Sequence, residues 1–502
     1  MFSSWTLAAM AALPLLAQRP PAADAARRYR EANEQKIIRE YVELLSIPNV
    51  ASDKANIRRN AQHIAQMYAA RGVKTELIEV EGANPAVYGE LLVPGATRTL
   101  LFYAHYDGQP VDPAKWKDSG PFQPILRTAP VEMNGKLLPL EQAKYDREWR
   151  LFARSATDDK IPIISLATAL SALSAAGLRP QANLKFFFEG EEEAGSPNLR
   201  RLMMKAKDKL KGEVWLICDG PIHQSRAQKL SFGARGVAGL DLTVYGAKRG
   251  LHSGHYGNWA PNPAMNMARL LASMTDGEGK VLVKGFYDDV TPLGPLERAA
   301  IMSNPKQDAE LKQELLLGAT QQFNGDLRES YYKPSLNIRG LESAQVGTKA
   351  ANVVPPEAKA SIDLRLVKGN DGRRQADKVI AHMRDQGYFV IEGRDPTDQE
   401  RLSHAKVARV DVNLSYNAFR TPLDLPVAQK IIALAKRVKE PVVLEPSSGG
   451  SLPLVVFEEV TGVPLVAVPS ANHDDNQHTH NENARIGNLW DGIELLAALL
   501  VM

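Results

Sequence analysis

Apolar and polar positions along this chain fall into short apolar runs separated by amphipathic stretches. TLLFYAHYD (99–107), NLKFFFEG (183–190) and EVWLICDG (213–220) are runs of strand length bounded by turn formers, the pattern of strands buried on both faces. Apolar residues recur at helical spacing from Glu34 to Leu45, and IPIISLATALSALSAAG (161–177) predicts a second helix. Strands alternating with helices predict an α/β fold with a mostly parallel, helix-covered sheet.

After Ser231 the texture changes. GVAGLDLTVYGAK predicts an alternating strand, PAMNMARLLASM a helix, SLNIRGLES and AKASIDLRLV two strands, and GRRQADKVIAHMRDQGY another helix. Elements in that order predict a small α+β sandwich. From RTPLDLPVAQKIIALAKRV the helix and strand alternation resumes and includes VPLVAVPS (463–470). The expected organisation is one α/β domain, residues 26–231 and 412–502, interrupted by a smaller domain at residues 232–411.

Composition narrows the function classes. At 44% apolar, 24% charged and net charge +3, the chain offers no case for nucleic acid, and the basic clusters Arg27, Arg28, Arg30 and Arg373, Arg374 are expected to be solvated surface. Cys218 is the only cysteine, so an intrachain disulfide and a cysteine zinc site are both excluded. Any metal must take His, Asp and Glu. At the N-terminus, Trp5 to Ala17 form an apolar run too short to span a bilayer, and Ala23-Asp24-Ala25 is a small-x-small pattern. Residues 1–25 are therefore expected to be a cleaved export signal, although the leader lacks a Lys or Arg; the alternative is a buried helix in a cytoplasmic protein.

Each expected strand of the first domain ends in an acid or a histidine, at the edge where open α/β sheets place ligands. In AHYDGQPV, His105 and Asp107 are two apart and point the same way in an extended segment, so one can orient the other. In RSATDDKIPI, Asp158 and Asp159 precede a helix, where capping is the plain alternative. FFFEGEEEAGS crowds Glu189, Glu191, Glu192 and Glu193 at the mouth of a strand; such like charges repel unless a cation or a proton separates them. Asp219 closes WLICDG, and ANHDDNQHTHNEN (471–483) gathers three of the ten histidines beside acids. Two His and three carboxylates at strand ends match a pair of divalent ions about 3.5 to 4 Å apart with one bridging carboxylate.

These motifs, with GLHSGHYGNWAPNPA, ANVVP, IDLRLV, SGGSLP and QHTHNE, resemble the co-catalytic di-zinc metallopeptidase family of carnosinases, dipeptidases, aminoacylases and acetylornithine deacetylase, in order over residues 100–482. The resemblance implies a di-metal catalytic domain with a ferredoxin-like inserted lid and dimerisation domain. It implies His105 and Asp219 on one metal, Glu193 and His478 on the other, Asp158 bridging, Asp107 holding the His105 ring and Glu192 as general base. Glu189 and Glu191 then need only be solvated. His252 matches a histidine that polarises the scissile carbonyl, often from the partner subunit, and Arg365 with Gly450 and Ser451 matches positions that grip a substrate carboxylate. Asp159, Glu191, His480 and His473 are near-register alternatives to Asp158, Glu192 and His478.

The implied reaction is amide hydrolysis by a water shared between the ions and activated by Glu192. An Asp at position 219 points within the family to a dipeptidase or aminopeptidase-like enzyme. An N-acyl amino acid deacylase and a non-catalytic, metal-stabilised binding protein are the alternatives. Zinc is the expected metal, with Mn or Co as alternatives. The expected partners are a small peptide or N-acyl amino acid and a second copy of the chain, in the periplasm.

Overall fold

The computed structural model describes residues 18–321, 323, 325–451 and 453–502. The run from Trp5 to Ala17, on which the export signal was expected, lies outside them. The first domain is built on an eight-stranded sheet. In chain order its strands are β1 (Lys74–Ile78), β2 (Ala86–Leu91), β3 (Thr99–His105), β4 (Asn183–Glu189), β5 (Val214–Ile217) and β6 (Gln228–Ser231). The inserted domain supplies β7 (Gly233–Tyr245), β8 (Ser335–Glu342), β9 (Glu357–Leu366), β10 (Phe389–Glu392) and β11 (Val407–Tyr416), after which β12 (Val442–Glu445) and β13 (Leu465–Ala467) return to the first sheet.

The first sheet runs β1-β2-β4-β3-β5-β13-β6-β12. Its centre, β4-β3-β5-β13, is parallel, so the C-terminal ends of those four strands share one edge. Antiparallel pairs flank that centre at β1-β2, β2-β4 and β13-β6. The alternation of side chains along β3 and β4 explains why both faces are covered. Leu100, Phe102, Phe186 and Phe188 pack beneath α1 (Pro21–Leu45), α2 (Lys54–Ala69) and α3 (Lys160–Ala175), while Leu101, Tyr103 and Phe187 pack on the other face against α4 (Leu199–Lys205).

The inserted domain runs β8-β9-β7-β11-β10. Its neighbours among β8, β9, β7 and β11 are antiparallel, and α5 (Pro263–Ala272) and α6 (Gly372–Asp385) cover one face through Met267, Leu270, Val379 and Met383. This is the split βαβ arrangement of a ferredoxin-like sandwich, with β10 added in parallel at the edge. Strand β11 runs across the expected boundary at 411/412, so the chain returns to the first domain after Tyr416. The first domain is completed by α7 (Pro426–Val438), α8 (Val455–Thr461) on the α4 side and α9 (Ile486–Leu500) against α1 and α3.

Two sequence expectations at the N-terminus change. The first helix begins at Pro21 rather than near Glu34, and the small-x-small pattern lies in its opening turns, where Ala22, Ala23, Ala25 and Ala26 are buried. Arg27 and Arg28 are exposed as expected, but Arg30 is buried, and with Arg19 and Arg27 it converges on the buried carboxylate of Glu494 in α9.

Candidate metal centre

The edge shared by β3, β4, β5 and β13 brings the predicted acids and histidines together. His105 ends β3; Glu192 and Glu193 lie in a turn after β4, Asp219 follows β5, and His478 lies in the loop after β13. Asp158, just before α3, sits between the two imidazoles. Its Oδ1 is 2.9 Å from His105 Nε2 and its Oδ2 is 3.0 Å from His478 Nε2. Glu193 Oε2 lies 3.3 Å from His478 Nε2, and Asp219 Oδ2 lies 4.0 Å from His105 Nε2. Glu192 Oε2 lies 3.9 Å from the same His105 nitrogen.

Residues that do not face this space hold it in shape. Asp107 does more than steady the His105 ring, from whose Nδ1 its Oδ1 is 3.5 Å away: its two oxygens accept the backbone N–H groups of Glu192 and Glu193, each at 3.0 Å. The sequence reading missed Glu482. This fully buried carboxylate accepts from Arg154 Nη1, the N–H groups of Ser155, Thr157 and Asp158, and the Thr157 hydroxyl, at 2.9 to 3.0 Å. It ties the His478 loop to the turn that carries Asp158. Ser155 in that turn has φ +62°, a left-handed conformation held by the Glu482 bond and by Asn49 Nδ2 on its hydroxyl at 2.8 Å. Glu482 stands two residues after His480, but only a contact between segments 325 residues apart gives it this task.

The expectation that Glu189 and Glu191 are solvated is wrong. Both are buried. Glu191 accepts from the Asn84 N–H at 2.7 Å and from Asn198 Nδ2 at 2.8 Å, which pins the turn holding Glu192 to the loop after β1. Glu189 accepts the Tyr103 hydroxyl at 2.7 Å, and its burial pushes its pKa up to about 8. A charge run read along the sequence looks solvated; folding turns alternate members inward, where each requires a donor or a proton.

The electrostatics fit a cation-holding site. Burial, followed by the charge of Asp158, raises Glu193 to about 7; burial raises Asp219 to about 6, against the pull of His105. Glu192 is pushed well above the usual carboxylate range by burial, with Asp219 and Glu193 adding to the shift and His105 opposing it. Burial alone would lower His105, but the hydrogen bonds to Asp107 and Asp158 outweigh it and hold the imidazole well above its ordinary value. His478 rises to about 9, chiefly through Asp158. Without cations, this many carboxylates share too few donors, and the Glu192 carboxylate accepts no hydrogen bond among the described residues. Two groups place one ligand atom per residue within 4.8 Å of one another: Asp158, Glu193 and His478, and His105, Asp159 and Asp219. This oxygen and imidazole set fits two divalent ions.

A model of peptidase family M20/M25/M40 matches residues 101–502. The chain belongs to that family. Within it, this M20 peptidase is 25% identical over 504 residues to the Cys-Gly metallodipeptidase DUG1 of Candida albicans, covering 94% of this chain and 95% of that protein. It is 27% identical to the human Beta-Ala-His dipeptidase, over 83% and 77% of the two chains. An M20 family metallo-carboxypeptidase from Sulfolobus solfataricus, Sso-CP2, superposes with a TM-score of 0.71 at 26% identity, covering 92% of this chain and 98% of the other. Family membership makes the chain a hydrolase of peptide bonds.

Of the near-register alternatives, Asp159 is the one the fold brings close. It occupies the N-cap position of α3 without making a cap bond, its Oδ2 accepts the His105 N–H at 3.3 Å, and burial raises its pKa far above the carboxylate range. Asp158 alone lies within hydrogen-bond distance of both imidazoles. His480 lies beside its own neighbour Thr479, and His473 is exposed, so neither enters the M20 centre. His252 is also not brought to it: the residue is exposed at the start of a helical turn in the inserted domain, with its ring 4.5 Å from that of His255. Arg365 in β9 pairs through Nε with Asp363 at 3.0 Å. Gly450 is exposed in the strand Ser448–Ser451, which runs beside β7, and the Ser451 side chain lies outside what is described.

Proposed function

We propose that this chain is a metal-dependent dipeptidase using two zinc ions, and that the inserted domain serves as a lid and homodimer contact. The observation that carries the reading is a buried carboxylate, Asp158, between two imidazoles, with the Glu192 carboxylate turned into the same space. End-to-end similarity to two dipeptidases supports the substrate class. His105 and Asp219 would hold one ion, Glu193 and His478 the other, and Asp158 would serve both. The ions, when bound, lower the pKa of a water and polarise the scissile carbonyl.

The remaining chemistry belongs to the chain. Glu192 stands near both ligand groups on a turn fixed by Asp107 and Glu191, so its carboxylate takes the proton of the attacking water and hands it to the leaving amine. Arg365 and the Gly450–Ser451 turn would hold the carboxylate end of the substrate. His252, exposed on its own subunit, would reach the scissile carbonyl of a second subunit. The apolar leader supports export to the periplasm.

The test is metal analysis with a paired assay on dipeptides and N-acetyl amino acids, before and after chelation and re-addition of Zn or Mn. About two ions per chain and chelator-sensitive dipeptide cleavage are expected. Deacylation without dipeptide cleavage would move the substrate class, and a metal-free, inactive protein would overturn the reading.

A further inference from the structure

Arg235, the third residue of β7, is buried without a counter-charge. It is 8% exposed. Its Nη2 donates to the Lys333 carbonyl at 3.0 Å and to the Ser335 hydroxyl at 3.1 Å, while Nε is buried without a partner. All of these partners are neutral, and Arg235 enters no ion pair among the described residues. A guanidinium does not shed its proton, so a buried one beside neutral acceptors is costly unless an anion arrives.

A second arginine shares its face of the sheet. Arg365 lies opposite Val237 in β7 and opposite Ser335 in β8. Side chains alternate along a strand, so Arg235, two residues before Val237, projects to the same side as Arg365. Tyr416 in β11 also pairs with Val237. The other side, with Ala238, Leu240 and Leu242, is covered by α5 and α6.

Tyr416 links the arginine face to the turn that carries Glu192. A cleft of about 530 Å³ beside it is lined by Val237, Tyr416, Asn417, Gly372 and Gly195, the last of them two residues beyond Glu193. The Tyr416 phenol feels the charges of both Arg365 and Glu192. The strand Ser448–Ser451 lies alongside, with Arg235 in register with Ser451, and the ring of Tyr331 packs over Gly449. Burial, then the charge of Arg365, pulls Arg235 down to about 10. Among the described residues the carboxylate whose charge reaches Arg235 is that of Asp363, which is itself paired with Arg365 Nε.

We propose that Arg235 supplies a second guanidinium, beside Arg365, for the free C-terminal carboxylate of a small peptide substrate, and so sets the preference for peptides that end in a carboxylate over those that end in an amide. The inference rests on the peptidase reading of the preceding section. The bonds to Lys333 and Ser335 hold the guanidinium at the corner, and the substrate carboxylate provides the missing charge.

The experiment compares kcat and KM on one dipeptide and on its C-terminal amide, for wild type, Arg235→Met, Arg235→Lys and Ser335→Ala, with thermal unfolding of each. Loss of a charge-assisted hydrogen bond predicts a KM for the dipeptide about 10- to 100-fold higher in Arg235→Met, with kcat/KM on the amide within about twofold of wild type. Arg235→Lys restores part of the loss. Ser335→Ala, which removes a brace and leaves the cation, disturbs the two substrates alike. Equal losses on dipeptide and amide in Arg235→Met, or no loss on either, would overturn the inference and leave the peptidase reading standing. If Arg235→Met does not fold, Arg235→Lys carries the test: a selective rise in dipeptide KM supports the inference and a parallel loss on both substrates refutes it. Wild-type protein inert on both substrates would overturn the peptidase reading and this inference with it.

Discussion

Glu482→Gln is a single-atom exchange whose consequence can be worked from the structure. One carboxylate oxygen accepts from Thr157 N–H, Thr157 Oγ1 and Asp158 N–H; the other accepts from Arg154 Nη1 and Ser155 N–H. Whichever way an amide turns, its NH₂ faces at least two N–H donors that need an acceptor. Each buried donor left unsatisfied costs about 1–3 kcal/mol, and breaking a buried ion pair by removing one partner costs about 3–5 kcal/mol. Both routes converge on a loss of about 3–5 kcal/mol in the metal-free protein, measurable by denaturant unfolding. The damage falls on the turn carrying Asp158, so divalent-metal affinity should also drop about 10- to 100-fold, the usual effect of removing a group that orients a ligand. Metal affinity is read by competition with a chromophoric chelator. A variant with unfolding free energy within about 1 kcal/mol of wild type and metal affinity within about twofold would refute the argument, because such a result means the five bonds position nothing.

Further outcomes follow from the same geometry. Glu192→Gln should retain both metals and lose turnover by at least about 100-fold, the lower range for a general base; activity near wild type would remove Glu192 from the mechanism. Metal-free protein should lose stability as pH rises from 5 to 8. Glu193, Asp219 and Glu189 have folded pKa values of about 7, 6 and 8, above their unfolded values near 4, and His478 is raised to about 9, so the folded state binds more protons and unfolding becomes easier as pH climbs. Thermal melts of chelated and metal-reloaded protein test this: the reloaded protein should show a flatter dependence, and a chelated protein that gains stability over this range would contradict the site electrostatics. Mixing His252→Ala with Glu192→Gln subunits should restore activity if His252 acts across a dimer, since one site in the mixed dimer is then complete; no recovery despite subunit exchange counts against it. N-terminal sequencing of the protein from its native cells should find the chain starting before Arg19, because Arg19 pairs with Glu494 and Ala22, Ala23, Ala25 and Ala26 are core residues; a start at residue 26 would show that this packing is dispensable.

Much of the centre was legible in the sequence because its chemistry is written at strand ends. His105, Glu193 and Asp219 stand where apolar runs stop, and a parallel sheet brings such ends to one edge; Asp158, ahead of α3, and His478, in the loop after β13, reach that edge only through the packing. What escaped the reading were residues whose role depends on a distant partner. Glu189 and Glu191 looked like solvated charges until the fold placed Tyr103, Asn84 and Asn198 against them. Arg30 looked like surface until α9 brought the buried Glu494 to it.

The sequence by itself determined the strand and helix alternation, the interruption by a smaller domain and the donor set available to a metal, because these depend on local periodicity and residue type. The tertiary structure alone decided that Asp158 rather than Asp159 lies between the two imidazoles, that Glu482 braces that turn, and that Arg235 and Arg365 share a face of the inserted sheet. Those outcomes depend on backbone register and on contacts between segments hundreds of residues apart, and a buried charge takes its meaning from whichever partner the fold sets within about 3 Å.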